Sequence, residues 1–268
     1  MRCALIQYNP KVGSIEGNLA KIQSLAREAH NLGASLAVFP EMAIIGYPPR
    51  DLLLYPFLIS EAQLAVSDLA QSLSDIDLTV IVGSVAFYEN GPGRSLQNVA
   101  YVLKAGEITG RYAKRLLPTY DVFDEARYFE PGDAPLVVVC GPLRLALSIC
   151  EDIWNDMSYW PQPLYRFDPV SESPPFDVLI NLSASPFSVA KQDLREDLLA
   201  NLALRYKADV LYVNQVGAND ELIFDGRSLH VNRFGEVSSR AKAFEEDLLM
   251  VELEKGPEIS LGSSSKSQ

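Results

Sequence analysis

A chain of 268 residues that is 48% hydrophobic can bury a substantial core, as one large α/β domain or two small ones. Its formal charge of −12 argues against a nucleic-acid-binding protein, because affinity for a phosphate backbone comes mostly from clustered Lys and Arg. No apolar run approaches the roughly 20 residues needed to cross a bilayer.

The start of the chain turns polar too early for a secretory signal. Three widely spaced cysteines make neither a disulfide framework nor a metal-ligand spacing. The expectation is a soluble, cytoplasmic protein with no bound metal.

Residues 2–8 predict a strand. Leu19, Ile22, Leu25, Ala26, Ala29 and Leu32 recur at helical spacing over 17–32, and Gly33 is a natural stop. Residues 34–39 predict a buried strand that delivers Glu41. Beyond the turn Gly46-Tyr-Pro-Pro49, a helix is expected over 60–73 and a strand over 78–87, closed by Glu89-Asn-Gly-Pro-Gly93. Residues 98–103 and 107–112 predict a hairpin about Lys104-Ala-Gly106. A second hairpin pairs 136–140 with 143–149 across Gly141-Pro142.

A strand over 177–182, a helix over 189–206 and a strand over 209–215 follow. From 221 to 253 the pattern alternates like antiparallel strands, with a turn at Asn232-Arg-Phe-Gly235. The Ser-rich end reads as a flexible tail or the start of a linker, which divides the chain into a domain over 1–255 and a tail over 256–268. Hairpins interrupt the strand–helix alternation, so two mixed sheets packed face to face with helices outside suit the order better than a doubly wound sheet. There is no Gly-x-Gly-x-x-Gly and no Walker-type phosphate loop.

Three residues at strand ends carry the chemical interest. Cys150 closes the apolar run Leu145-Ala-Leu-Ser-Ile149 just where Glu151, Asp152 and Asn155 begin. Cys3 and Cys140 lie inside strands and read as core. Glu41 follows Phe39-Pro40, and Lys114 follows the strand-like stretch 98–103.

A thiol needs a base or a cation nearby to attack a carbonyl. In a closed apolar pocket Glu41 would rise toward the range of a neutral-pH base. Lys114 and the backbone N–H of Glu151 would stabilise an oxyanion. Only His30 and His230 are available as conventional partners. His30 reads as solvated on the polar side of its helix. His230 reads as structural, with a Cys150–His230 dyad as the other possibility.

The contexts of these residues resemble one family. Phe39-Pro-Glu-Met-Ala-Ile-Ile-Gly-Tyr-Pro-Pro-Arg-Asp-Leu-Leu53 holds Glu41. Leu117-Pro-Thr-Tyr-Asp-Val-Phe-Asp-Glu-Ala-Arg-Tyr-Phe129 follows Lys114, and Ser148-Ile-Cys-Glu-Asp-Ile-Trp154 holds Cys150. These segments are similar to those of the nitrilase superfamily of carbon–nitrogen hydrolases. Together with Asn181-Leu-Ser-Ala-Ser-Pro-Phe187 and the segment 213–226, they look most like the N-terminal glutaminase domain of glutamine-dependent NAD synthetases.

The resemblance implies a four-layer α-β-β-α sandwich of two mixed sheets and a Glu–Lys–Cys centre. Glu41 would be the base, Lys114 the oxyanion stabiliser and Cys150 the nucleophile that forms a glutamyl thioester. It also implies that Glu125 orients the lysine and the substrate amide. Ser185 and Lys191 would lie near the glutamine carboxylate, with Tyr120 and Phe123 as the wall. No cofactor would serve the glutaminase reaction.

ATP and deamido-NAD would belong to a synthetase domain whose Ser-Gly-Gly-x-Asp-Ser loop this sequence lacks. That domain and further copies of the chain, in a homo-oligomer, are the partners expected. Two other readings are a stand-alone amidase acting on another small amide or carbamoyl compound, and a non-catalytic scaffold with the same fold.

Overall fold

Side chains alternate across the first strand. Cys3 and Leu5 of β1 (Arg2–Gln7) enter one apolar cluster, whereas Ala4 and Ile6 enter another. A strand buried on both faces needs a layer on each side, and the rest of the chain supplies those layers. A computed structural model describes residues 1–88 and 92–256; most of the tail expected over 256–268, and part of the turn expected at 89–93, lie outside the described residues.

The first sheet has the order β14-β1-β2-β3-β4-β5. Its strands are β1, β2 (Leu36–Val38), β3 (Thr79–Phe87), β4 (Leu96–Lys104), β5 (Glu107–Ala113) and β14 (Asp247–Glu252). β1, β2 and β3 run parallel, β4 and β5 form the expected hairpin, and β14 pairs antiparallel with β1. The second sheet has the order β13-β12-β9-β8-β7-β6.

That sheet comprises β6 (Val137–Cys140), β7 (Leu143–Ile149), β8 (Val178–Ser183), β9 (Asp209–Asn214), β12 (Leu229–Val231) and β13 (Val237–Arg240). Here β7, β8 and β9 are the parallel centre. β10 (Val216–Asn219) and β11 (Leu222–Asp225) form a separate hairpin.

Leu5, Val38, Ile81, Leu145, Ile180 and Leu211 lie in the cluster between the two sheets. Helices α1 (Ile15–Asn31) and α2 (Pro56–Ser72) cover the outer face of the first sheet through Ile22, Ala26, Ile59 and Val66. Helix α3 (Lys191–Tyr206) covers the second through Leu198 and Leu202. The result is the expected α-β-β-α sandwich.

Two local expectations change. The helix expected from residue 60 begins at Pro56, because proline is preorganised for a first helical position where no N–H is needed. The region 221–253 is not one antiparallel unit: β14 leaves the second sheet for the first. Among the described residues no helix is long and apolar enough to cross a membrane.

Candidate active site

Glu41 lies just beyond β2, on a loop laid against β3. Phe39 N donates to Ile81 O at 2.8 Å and Ile44 N to Gly83 O at 3.2 Å. A Cβ on Gly83 would stand 2.4 Å from both Pro40 O and Met42 N, so only glycine lets the loop approach this closely. Glu41 is fully buried. Its Oε1 accepts from Asn98 Nδ2 at 2.7 Å and Lys114 Nζ at 2.8 Å, and its Oε2 from Ala184 N at 2.9 Å. The surroundings are thus a cage of donors.

Lys114 directly follows β5, not the stretch 98–103, which is the partner strand β4. The hairpin places the two strands side by side, and Lys114 N donates to Asn98 O at 2.8 Å. Its Nζ also donates to Glu125 Oε1 at 2.8 Å, with no side-chain exposure at Lys114. Burial alone would discharge this ammonium, but Glu125 and Glu41 more than reverse that and hold it firmly protonated. Burial pushes the Glu125 carboxyl up, and Lys114 pulls it back. Tyr47 donates to the same Glu125 oxygen at 2.9 Å, whereas the buried Oε2 has no partner among the described residues.

Cys150 opens a 3-10 turn, Cys150–Ile153, at the end of β7. Its φ of +43° lies in the left-handed region, a conformation that costs a non-glycine residue about 1–3 kcal/mol. Hydrogen bonds on both sides hold it there. Ile149 N donates to Asp152 Oδ2 at 2.9 Å, and Asn181 Nδ2 donates to Cys150 O at 3.4 Å. The thiol is buried and within electrostatic reach of Glu41 and Lys114. Burial and then Glu41 push its pKa up, against the opposing pull of Lys114.

The rim gathers the remaining candidates. Glu151, also buried, accepts from Tyr120 at 2.8 Å and from Tyr165 at 3.0 Å. Burial raises its pKa. Tyr120 is half exposed and packs edge-on against Phe123, which in turn packs against a core cluster. Lys191, at the start of α3, lies over the Trp154 ring at 5.5 Å and is lowered in pKa by burial. It is partly buried rather than fully solvated. Ser185 is buried, its N–H donating to Asn214 Oδ1 at 2.8 Å.

The structure therefore brings Glu41, Lys114, Glu125 and Cys150 together, with Glu151, Tyr120 and Lys191 at the edge. Sequence reasoning did not single out Asn98, Asp152, Tyr165 or Asn181. Only the Glu-Asp pair after Cys150 carried a local signal for one of them. His230 does not join the thiol: it lies in β12, 3.0 Å from Asp209 Oδ1, and lines an open cleft with Arg233 that contains no candidate catalytic residue. His30 is half-buried at the end of α1 rather than solvated, with Nδ1 closed off from water.

Chemically, this is a buried thiol beside a carboxylate, an ammonium and a second carboxylate with a free acceptor. Such a set can transfer an acyl group from nitrogen to sulfur and then to water.

Comparison with known proteins agrees. The carbon-nitrogen hydrolase family model matches residues 2–256. The glutamine-dependent NAD(+) synthetase of Synechocystis sp. is 39% identical over 253 residues, covering 92% of this chain and 45% of that protein. Its counterpart from Thermotoga maritima is 41% identical over 254 residues, covering 95% and 42%. The chain thus spans less than half the length of these relatives.

Among solved structures, glutamine-dependent NAD+ synthetase from Acinetobacter baumannii superposes with a TM-score of 0.79 at 35% identity, over 93% of this chain and 44% of that one. A nitrilase-superfamily amidase from Nesterenkonia shares the fold, with a TM-score of 0.79 at 23% identity over 94% and 90%. With the two mixed sheets, the buried Glu–Lys–Glu network beside Cys150 and a family match over nearly its whole length, this chain belongs to the carbon-nitrogen hydrolase family.

Proposed function

We propose that this chain hydrolyses the side-chain amide of L-glutamine through a thioester on Cys150. The ammonia released would feed the amidation of deamido-NAD on a synthetase domain, with ATP consumed there. The observation that carries the reading is the water-excluded Lys114, held between Glu41 and Glu125 at 2.8 Å from each, next to the buried thiol of Cys150. The relatives, named as glutamine-dependent synthetases, supply the substrate.

The burial of the thiol requires a base at the moment of attack. Glu41 has three donors on its two oxygens, which leaves one of about four lone-pair sites to take the Cys150 proton. Sulfur attacks the amide carbon, and Lys114 with the Glu151 N–H holds the resulting oxyanion. Glu125 Oε2 accepts an N–H of the amide and orients it. Glu41 returns its proton to the leaving nitrogen, ammonia departs, and the glutamyl thioester remains. Water then gives a proton to Glu41 and its oxygen to the acyl carbon. The C–S bond breaks, the thiolate recovers the proton, and glutamate leaves.

The rim matches an amino acid head group. Glu151, with the hydroxyls of Tyr120 and Tyr165, presents a carboxylate to the α-ammonium, and Lys191 with Ser185 faces the α-carboxylate. Phe123 completes the wall. Assembly as a homo-oligomer and a cytoplasmic location belong to the same proposal; light scattering of the purified chain reads the first and cell fractionation the second.

The test is ammonia release from L-glutamine, L-asparagine and a simple aliphatic amide by the wild-type chain and Cys150→Ala. Cysteine-dependent release from glutamine alone supports the proposal. Release from the other amides instead makes the chain a stand-alone amidase. No release from any of them, with Cys150 unreactive toward glutamine analogues, makes it a scaffold.

A further inference from the structure

We propose that Asp152 is a positioning residue that locks the strand end carrying Lys114 to the turn carrying Cys150. The inference rests on the reading that these two side chains do the chemistry. Asp152 is fully buried. Its Oδ1 accepts from Arg115 N at 3.0 Å and Leu116 N at 2.8 Å, the two residues that directly follow Lys114. Its Oδ2 accepts from Ile149 N at 2.9 Å, directly before Cys150, and from the Tyr112 hydroxyl at 2.8 Å, two residues before Lys114.

One short side chain thus reads both backbones. Lys114 follows β5 of the first sheet and Cys150 follows β7 of the second, and the layer between those sheets is mostly apolar. Apolar packing sets the spacing of two layers but is non-directional and leaves sliding cheap. Four directional bonds to a single carboxylate remove that freedom. The same count excludes Asp152 from the chemistry itself: a carboxylate has about four acceptor sites, and all four are taken. It has none left for a substrate or for a proton in transit.

Substitution separates the two sides of the clamp. In Asp152→Asn one oxygen becomes an NH2 donor. Either Arg115 N and Leu116 N or Ile149 N then faces a donor, and one of the two backbones is released. Asp152→Glu keeps the charge but is one methylene too long. Tyr112→Phe removes a single donor and leaves the carboxylate in place, so it is the mild member of the series.

The experiment measures kcat and KM for ammonia release from L-glutamine together with the pH profile of Cys150 alkylation by iodoacetamide. Cys150 is scored apart from Cys3 and Cys140 by peptide mass spectrometry, and the folded fraction is fixed by thermal melting. Asp152→Asn is expected to lower kcat about 100-fold with KM changed less than about threefold, the signature of misplaced reacting groups rather than lost binding. The alkylation midpoint of Cys150 should shift in parallel, and Asp152→Glu should not rescue either. Tyr112→Phe should move both readouts in the same direction by a smaller factor.

Wild-type kcat and an unmoved alkylation profile in Asp152→Asn would overturn the proposal, as would a kcat loss that only tracks the folded fraction. Should Asp152→Asn not fold, Tyr112→Phe decides alone, and wild-type behaviour in both assays overturns it. If the wild-type chain ignores glutamine, the alkylation profile still decides, which separates failure of the clamp from failure of the glutaminase reading.

Discussion

The Nζ of Lys114 lies 2.8 Å from Oε1 of Glu41, a residue 73 positions away, with neither side chain exposed to water. Because Glu125 shares the same ammonium, two carboxylates lean on one cation. Removing that cation leaves buried negative charge with nothing to balance it.

Lys114→Met should therefore destabilise the chain by about 3–5 kcal/mol, the range for breaking a buried ion pair on one side only. Adding Glu125→Gln should recover part of the loss, since one of the stranded charges is then gone. Urea unfolding of the three proteins checks both. A single variant within about 1 kcal/mol of wild type, the range of an exposed pair, would mean that the network is solvated in solution.

Glu41→Gln should keep the fold, because the amide oxygen can still accept from Lys114 and Asn98. The NH2 group would face Ala184 N, a donor, and could not take a proton from the thiol. Acylation should slow by about 100- to 10,000-fold, the usual weight of a general base. Single-turnover mass spectrometry of the acyl-enzyme reads this step directly. An unchanged acylation rate would remove Glu41 as the base.

Glu151→Gln is expected to act on binding. If its carboxylate meets the substrate ammonium, KM for glutamine should rise about tenfold or more while kcat changes little, the pattern of a uniform binding contact. Steady-state kinetics separates the two constants. A fall in kcat at constant KM would instead place the Glu151 side chain in the chemical step.

Asp152 gives a pH dependence with a definite sign. Burial raises its pKa from the ordinary 3.8 to about 6, so the folded chain binds this proton more tightly than the unfolded chain. Relative to Asp152→Asn, wild-type stability should fall as pH rises from about 4 to about 6, by at most about 3 kcal/mol, and stay level above that. Activity should run the other way, since a protonated carboxyl gives up an acceptor site in the clamp. Urea midpoints and rates across pH 4–8 check the pair; parallel trends in both would refute it.

Much of this molecule is legible in its residues. The apolar periodicity of α1, the β-branched run of β3 and the turn at Gly106 are local signals, and the elements stand where those signals place them. Glu41 and Cys150 were visible because each closes an apolar strand beside a distinctive segment, and Lys114 because a distinctive segment follows it. Asn98, Tyr165 and Asn181 were not. Their meaning lies in partners 57, 14 and 31 residues away, and no local period encodes such pairings. Strand exchange at β14 is invisible for the same reason: its alternation fits either sheet, and only the vacant side of β1 decides.

That pairing has a consequence for synthesis. β1 leaves the ribosome long before its neighbour on one side, β14, which spans Asp247–Glu252. Until those residues emerge, β1 presents an open row of backbone donors and acceptors to the cell, a template for unwanted pairing. The first sheet is therefore finished only after translation has passed its last strand. A nascent chain stalled before residue 247 should be captured by chaperones, whereas one released beyond 252 can close itself.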